Sequence, residues 1–290
     1  MSLEWHDLAD PNDPELDRLA ERYQLHPLHI EDCRHRDQSA KVEEQNGYIF
    51  AVLKPVVVLP GCELEIDDFD LFFGPDFIIT VREGAHATVG PILDRIHANR
   101  AAERGDQIFY RIVDEVVDSY PPVIDKFSET IDGLESDVLE SALPSTLQKI
   151  FDLKRGLIQM RRVLGNMRDV AGHLQRTESP LIGKDMWPFL RDVYDHVARS
   201  LDLVETQRDV LNGALDIYLS SVANRTNQVV KVLTILGTAA LPALVISGIF
   251  GMNVKGLPWA DHPHGAAIVT GLMAATTAIL LAFLRKVHWF

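Results

Sequence analysis

Two stretches near the C-terminal end of this 290-residue sequence carry no charged residue: Val232 to Val254, 23 residues, and Gly265 to Leu284, 20 residues. As helices rising about 1.5 Å per residue they reach roughly 35 and 30 Å, enough to cross a hydrocarbon core of about 30 Å. The competing arrangement, a buried hairpin inside a soluble core, conflicts with that length, because core helices seldom run so far without a charge. A membrane hairpin is therefore expected. Arg225 and Lys231 precede the first span, Arg285 and Lys286 follow the second, and the connector holds only Lys255 against Asp261. The positive-inside bias then puts both ends of the hairpin in the cytoplasm, with 255–264 as a short outer, periplasmic loop. Met1 to Pro14 is polar and acidic and offers a translocon no apolar run. The remainder of the chain is expected to stay cytoplasmic, held at the inner membrane.

Charge is segregated along the chain. Up to Tyr120 there are 25 Asp and Glu against 11 Lys and Arg, whereas from Pro121 onward there are 17 of each, so the whole net charge of −14 belongs to the N-terminal part. Such a domain repels phosphates and attracts cations, which argues against nucleic acid as a partner. Cys33 and Cys62 fit no zinc-knuckle or CxxC spacing and are read as packing residues.

Between Gly47 and Arg82 the apolar runs are short: Tyr48 to Leu53, Val56 to Leu59, Leu64 to Phe73 and Phe77 to Val81, punctuated by Gly61 and Gly74-Pro75. They read as β-hairpins of a mixed sheet. Helical segments flank them at Asp13 to Tyr23 and Val89 to Arg104, and the pattern stays helical from Gln107, broken at Pro121-Pro122, Leu143-Pro144 and Glu178 to Lys184. Trp187 to Phe250 reads as one helix of about 95 Å with Pro242 as its only internal proline beyond the first turn. An amphipathic helix of that length needs partners along its face, so a homo-oligomer around a common axis is expected. The expected fold class is an α/β cytoplasmic domain (1–120), long cytoplasmic helices and a stalk (121–228), a first span (229–254), an outer loop (255–264), a second span (265–284) and a short tail (285–290).

Enzyme signatures are missing. Gly183-Lys184 lacks the upstream glycine of a phosphate-cradling loop, no GxGxxG, GxSxG or HExxH occurs, and the 11 histidines read as scattered rather than paired at ligand spacing. The first span is more informative. It begins with Asn227 and Gln228, carries Thr234, Thr238 and Ser247, and ends in Gly251-Met252-Asn253. Polar groups facing lipid are costly. Asn227 with Thr234, and Val230 with Gly237, are seven residues apart and share a stripe, and Thr238 and Leu241 continue it. A water-filled path lined by this stripe accounts for these residues, as does helix-to-helix bonding through hydroxyls. The second span, rich in Ala and Gly, reads as a packing helix.

The tripeptide Gly251-Met252-Asn253 resembles the signature of CorA-type divalent-cation transporters, and the likeness extends over Phe189 to His196, Leu215 to Ser221 and Asn224 to Thr234 in the stalk and pore helix. Upstream, His26-Pro27-Leu28 with Glu31-Asp32, and Tyr48-Ile49-Phe50 with Leu53-Lys54, are similar to the family's cytoplasmic domain. The resemblance implies a pentameric funnel whose five long helices line a pore. By position, Gly251, Met252 and Asn253 form the selectivity mouth, Asn227 with Thr234 and Thr238 the polar pore lining, and Val230, Leu233 and Leu241 the hydrophobic constriction. It also implies that Asp32 and Asp192, with Glu31 beside them, bind regulatory Mg²⁺ across a subunit boundary. Mg²⁺ loses its water reluctantly, so neutral oxygens that bond its hydration shell suit it.

This chain departs from the family's usual pattern at Phe250, where a tyrosine is common, at Val230 and Leu241, where methionines are common, and in its short basic tail. The connector Val254 to Trp259 looks as much like the ZntB-type zinc branch. The stripe from Asn227 to Asn253 offers Zn²⁺ none of its preferred ligands, while His262 and His264 at the outer mouth could gather Zn²⁺ or protons. Mg²⁺ is the expected ion, Zn²⁺ or Co²⁺ the alternatives, and a non-conducting membrane-tethered cation sensor the reading of another class.

Overall fold

The computed structural model describes residues 3–35, 38–45, 47–84, 89–99, 104–140, 143–252, 257–259 and 262–286. Five strands form one sheet in the order β1-β7-β6-β3-β2: β1 (Glu4–Leu8), β2 (Lys41–Gln45), β3 (Tyr48–Leu53), β6 (Phe69–Phe73) and β7 (Phe77–Arg82). All neighbours are antiparallel except β1 with β7. A separate hairpin pairs β4 (Val56–Val58) with β5 (Leu64–Ile66). The single run expected from Leu64 to Phe73 is thus two strands, interrupted at Asp67-Asp68, and the polar segments Glu4–Leu8 and Lys41–Gln45 add two edge strands that apolar periodicity did not reveal.

Every residue of β3 is buried because the sheet is covered on both faces. Tyr48, Phe50, Val52, Phe72, Ile79 and Val81 pack against Leu16, Leu19, Leu25 and Ile30 of the N-terminal helices and their junction. Ile49, Ala51, Leu53, Phe69, Leu71 and Phe73 face the helices that follow the sheet. On the first face, α1 (Pro14–Tyr23) starts on Asp13, whose Oδ1 accepts the Glu15 N–H at 2.8 Å, and ends at Gln24 in the left-handed region (φ 54°). The short helix α2 (Pro27–Arg34), which the sequence reading did not anticipate, starts on His26 with Pro27 in its first turn. Proline suits that position because its missing N–H has no intrahelical acceptor there.

On the second face lie α3 (Val89–Asn99), α4 (Gly105–Asp118), α5 (Tyr120–Glu140) and α6 (Pro144–Leu174). Pro121-Pro122 and Pro144, read as breaks, are helix starts. At Gly156 a Cβ would stand 2.6 Å from the Phe127 ring and 2.9 Å from the Cys62 carbonyl, so glycine is what lets α6 approach α5 and the β4–β5 turn. One hydrophobic cluster joins the sheet, α3 to α6 and Leu190 to Tyr218 of α7 (Trp187–Phe250), and residues 1–218 form one compact unit. The change in charge at Tyr120 is therefore not a break in packing.

Residues 219–290 are the second unit. It contains the end of α7 and α8 (Gly265–Lys286), two helices that by length and apolarity can cross a membrane. Their side chains are mostly exposed, among them Leu233, Leu236, Leu244 and Ile279. That distribution inverts the rule for water-soluble surfaces and is met by lipid or by further copies of the helices.

Candidate functional site

The pore-helix residues can be placed by where α8 touches α7. Thr277 Oγ1 on α8 donates to the Ala239 carbonyl at 3.5 Å, and the half-buried residues Ile235, Ala239, Pro242, Ala243 and Ile246 lie on that side. At about 100° per residue, the stripe Asn227, Val230, Thr234, Thr238, Leu241 is centred about 120° away. Asn227, Val230, Thr234 and Leu241 are exposed, and Thr238 is half-buried at the margin facing α8. Leu233 is exposed as well, about 100° further round than the stripe. Thr234 Oγ1 donates to the Val230 carbonyl at 2.8 Å and Ser247 Oγ to the Leu244 carbonyl at 3.1 Å, so neither hydroxyl is orphaned in an apolar medium. The stripe therefore does not serve to bond α7 to α8; Thr277 does that.

The helix closes at Phe250. The Gly251 N–H donates to the Ser247 carbonyl at 2.8 Å and the Met252 N–H to that of Ile249 at 3.3 Å, and both residues are exposed. Asn253 lies outside the described residues. Beyond it, His262 and His264 stand together, ring centroids 5.9 Å apart, with the His264 N–H donating to His262 Nδ1 at 3.2 Å.

The acidic candidates occupy two places in the first unit. Asp32, on α2, accepts from Lys41 Nζ at 2.7 Å, and Lys41 also donates to Glu43 Oε1 at 2.9 Å. Burial disfavours the Lys41 charge, yet these two hydrogen bonds outweigh it and hold its pKa above the ordinary value. Glu43 is held below the carboxylate range, chiefly by its hydrogen bond from Lys41. Glu43 Oε2 in turn meets His29 Nε2 at 3.1 Å, and His29 Nδ1 meets the Tyr48 hydroxyl at 2.7 Å. Burial holds His29 below the usual histidine pKa. Glu31 is exposed beside them. Behind α2, Asp70 is 3% exposed, accepts from the Cys33 thiol, and leaves Oδ1 without a partner. Burial pushes its pKa up to about 7.

Asp192 belongs to a different cluster. His196 Nε2 lies 3.7 Å from its Oδ2, and His196 Nδ1 lies 3.5 Å from Asp118 Oδ1. Among the described residues Asp114, Asp118 and His196 bring their ligand atoms within 4.8 Å of one another. The Asp114 carboxyl is raised, first by burial and then by the charge of Asp118, with Asp192 adding to it. Carboxylates that oppose one another's ionisation fit a divalent cation, which would relieve the repulsion. Within one chain Asp32 and Asp192 have separate partners. Sequence reading singled out Asp192 but neither Asp114 nor Asp118, and it missed that the i, i+4 pair Asp114 and Asp118 on α4 meets His196 of α7, which Asp192 approaches from its own helix. His196 is thus paired at ligand spacing, contrary to the expectation for the histidines.

The family model described as CorA-like Mg²⁺ transporter protein matches residues 1–286. The chain is 37% identical over 276 residues to the cobalt/magnesium transport protein CorA of Thermotoga maritima, covering 94% of this chain and 79% of that one. The complete structure of the CorA magnesium transporter from Methanocaldococcus jannaschii superposes with a TM-score of 0.87 at 25% identity, over 99% of this chain and 91% of that one. The cytoplasmic domain of ZntB from Vibrio parahaemolyticus shares the fold, with a TM-score of 0.66 at 12% identity over 77% of this chain and 90% of that one. This chain belongs to the CorA-like Mg²⁺ transporter family.

Proposed function

We propose that five copies of this chain form a Mg²⁺ influx pore in the inner membrane, with both termini in the cytoplasm. The observation that carries the reading is the Asn227 to Leu241 stripe, turned away from α8 and built only from neutral polar and apolar side chains. Five such stripes around an axis make a passage whose amide and hydroxyl oxygens bond a hydrated cation without binding it too tightly to release. Val230 and Leu241 narrow it, Leu233 lies beside them toward the neighbouring copy, and Gly251, Met252 and Asn253 form the outer mouth. The stripe holds no His, Cys, Asp or Glu, which favours Mg²⁺ over Zn²⁺. Co²⁺ is a further candidate cargo, in keeping with the name of the Thermotoga relative.

In the same reading, cytoplasmic Mg²⁺ regulates the pore. Asp32 with Glu31 of one copy meets Asp192, with Asp114 and Asp118 beside it, on the next. Neutralising these carboxylates holds the acidic domains together, and unneutralised they repel and the assembly splays. Only a difference in affinity between the two states can shift that equilibrium.

The test is ion flux into proteoliposomes of the purified protein, comparing Mg²⁺, Co²⁺ and Zn²⁺ with and without a pH gradient. The expected result is gradient-independent Mg²⁺ entry that Asn253→Ala abolishes with assembly intact. Zn²⁺ entry driven by an inward proton gradient would move the function to the zinc branch and implicate His262 and His264. No flux of any ion would leave a cation sensor.

A further inference from the structure

Lys41 is held by two acceptors on different elements, Asp32 Oδ2 on α2 at 2.7 Å and Glu43 Oε1 on its own strand at 2.9 Å. Glu43 does not move freely. Its other oxygen meets His29 Nε2 at 3.1 Å, and His29 is 1% exposed, stacked on Phe50 at 4.3 Å between ring centroids and bonded to Tyr48. Tyr48 Oη also accepts the His26 N–H at 2.8 Å, so the relay is anchored at the start of α2 itself. Lys41 Nζ additionally stands 5.7 Å from the centre of the Phe50 ring. Asp32 and Lys41 are only partly exposed, with 19% and 31% of their side chains accessible, so the pair is less screened than a surface pair.

We propose that Lys41 is a built-in ammonium competitor for the Asp32 carboxylate, setting how much divalent cation is needed to occupy that site. The inference rests on the reading of Asp32 as part of the regulatory cation site. Asp32 is already neutralised by a monovalent charge. To take a hydrated divalent cation it must give up Lys41, and Lys41 can let go because Glu43 remains as its second acceptor. Release costs one charge-assisted hydrogen bond and not the stranding of a half-buried ammonium. The arrangement has two consequences. Affinity is lowered, so the site fills only where divalent cation is plentiful. A free monovalent cation gains little at Asp32, since it offers the carboxylate no more charge than the tethered ammonium does. Glu43 tunes the competition, because the more strongly it holds Lys41, the more readily Asp32 is freed.

The experiment titrates purified full-length protein with Mg²⁺ and follows the thermal unfolding midpoint, with the half-saturating Mg²⁺ concentration as the readout. Lys41→Gln is expected to lower that concentration about three- to tenfold, the range set by a partly buried ion pair, while Lys41→Arg stays near the parent. Glu43→Gln should move it the opposite way, since Lys41 then has Asp32 as its sole charged acceptor. Lys41→Met, which keeps the stem over Phe50, serves if the glutamine variant does not fold. If Asp32→Ala loses the Mg²⁺-dependent rise in the midpoint but Lys41→Gln and Lys41→Met titrate like the parent, the competitor role is overturned and the Asp32 site stands. If Asp32→Ala itself titrates like the parent, Asp32 holds no regulatory cation and both readings fall.

Discussion

Replacing Asp70 with asparagine should remove a pH-dependent destabilisation whose size follows from its burial. The carboxyl sits on β6 beneath α2, 3% exposed, with the Cys33 thiol as donor and one oxygen unpartnered. Its pKa is raised from 3.8 to about 7, first by burial, with the Cys33 hydrogen bond and the Lys54 charge opposing. Because the folded value exceeds the unfolded one, the neutral acid's contribution is fully present below pH 3.8 and is lost as pH rises through about 7. At about 1.36 kcal/mol per pH unit the gap amounts to about 4 kcal/mol, or about 10 °C in the unfolding midpoint of a domain this size. The assay is calorimetry of parent and Asp70→Asn full-length protein from pH 4.5 to 8. The midpoint difference, variant minus parent, should climb with pH and level off above pH 7. A difference constant across that range would refute the argument, since it would mean that Asp70 titrates alike in the folded and unfolded chain.

Three further outcomes are expected. Gly156→Ala should cost about 1–3 kcal/mol of stability in a denaturant titration, because the new methyl meets the Phe127 ring and the Cys62 carbonyl at 2.6 and 2.9 Å. Asp106→Ala should cost a similar about 1–3 kcal/mol, since the carboxylate accepts the Gly183 N–H at 3.0 Å and both guanidinium contacts of Arg104 at 3.0 and 3.1 Å, and the Gly183 N–H would be left unpaired. Thr234→Leu should reduce Mg²⁺ flux at least tenfold in proteoliposomes while Thr277→Val, on the α8 side, leaves flux near the parent value; equal effects would mean that the stripe does not line the pathway.

The sequence reading and the structure part company for identifiable reasons. Tyr48–Leu53 declared itself a strand because a run of six apolar residues suits a sheet covered on both faces. Glu4–Leu8 and Lys41–Gln45 did not, because edge strands are half solvated and their pairing is made by backbone groups that carry no side-chain signature. The prolines at 121, 122 and 144 mark helix starts, which a periodicity break alone cannot distinguish from helix ends. Asp192 is singled out by the family resemblance alone, whereas Asp114 and Asp118 stand more than seventy residues earlier and reach His196 only after α4 and α7 pack.

The sequence by itself determined the two apolar helices, the acidic N-terminal part, the α/β pattern and the family signature, because each is a local property of composition or spacing. Tertiary structure alone decided which group each carboxylate faces: Lys41 for Asp32, His196 for Asp192 and Asp118, the Cys33 thiol for Asp70. It also decided that the Asn227 stripe turns away from α8. Charge interactions and burial depend on distances through space, and only packing sets those.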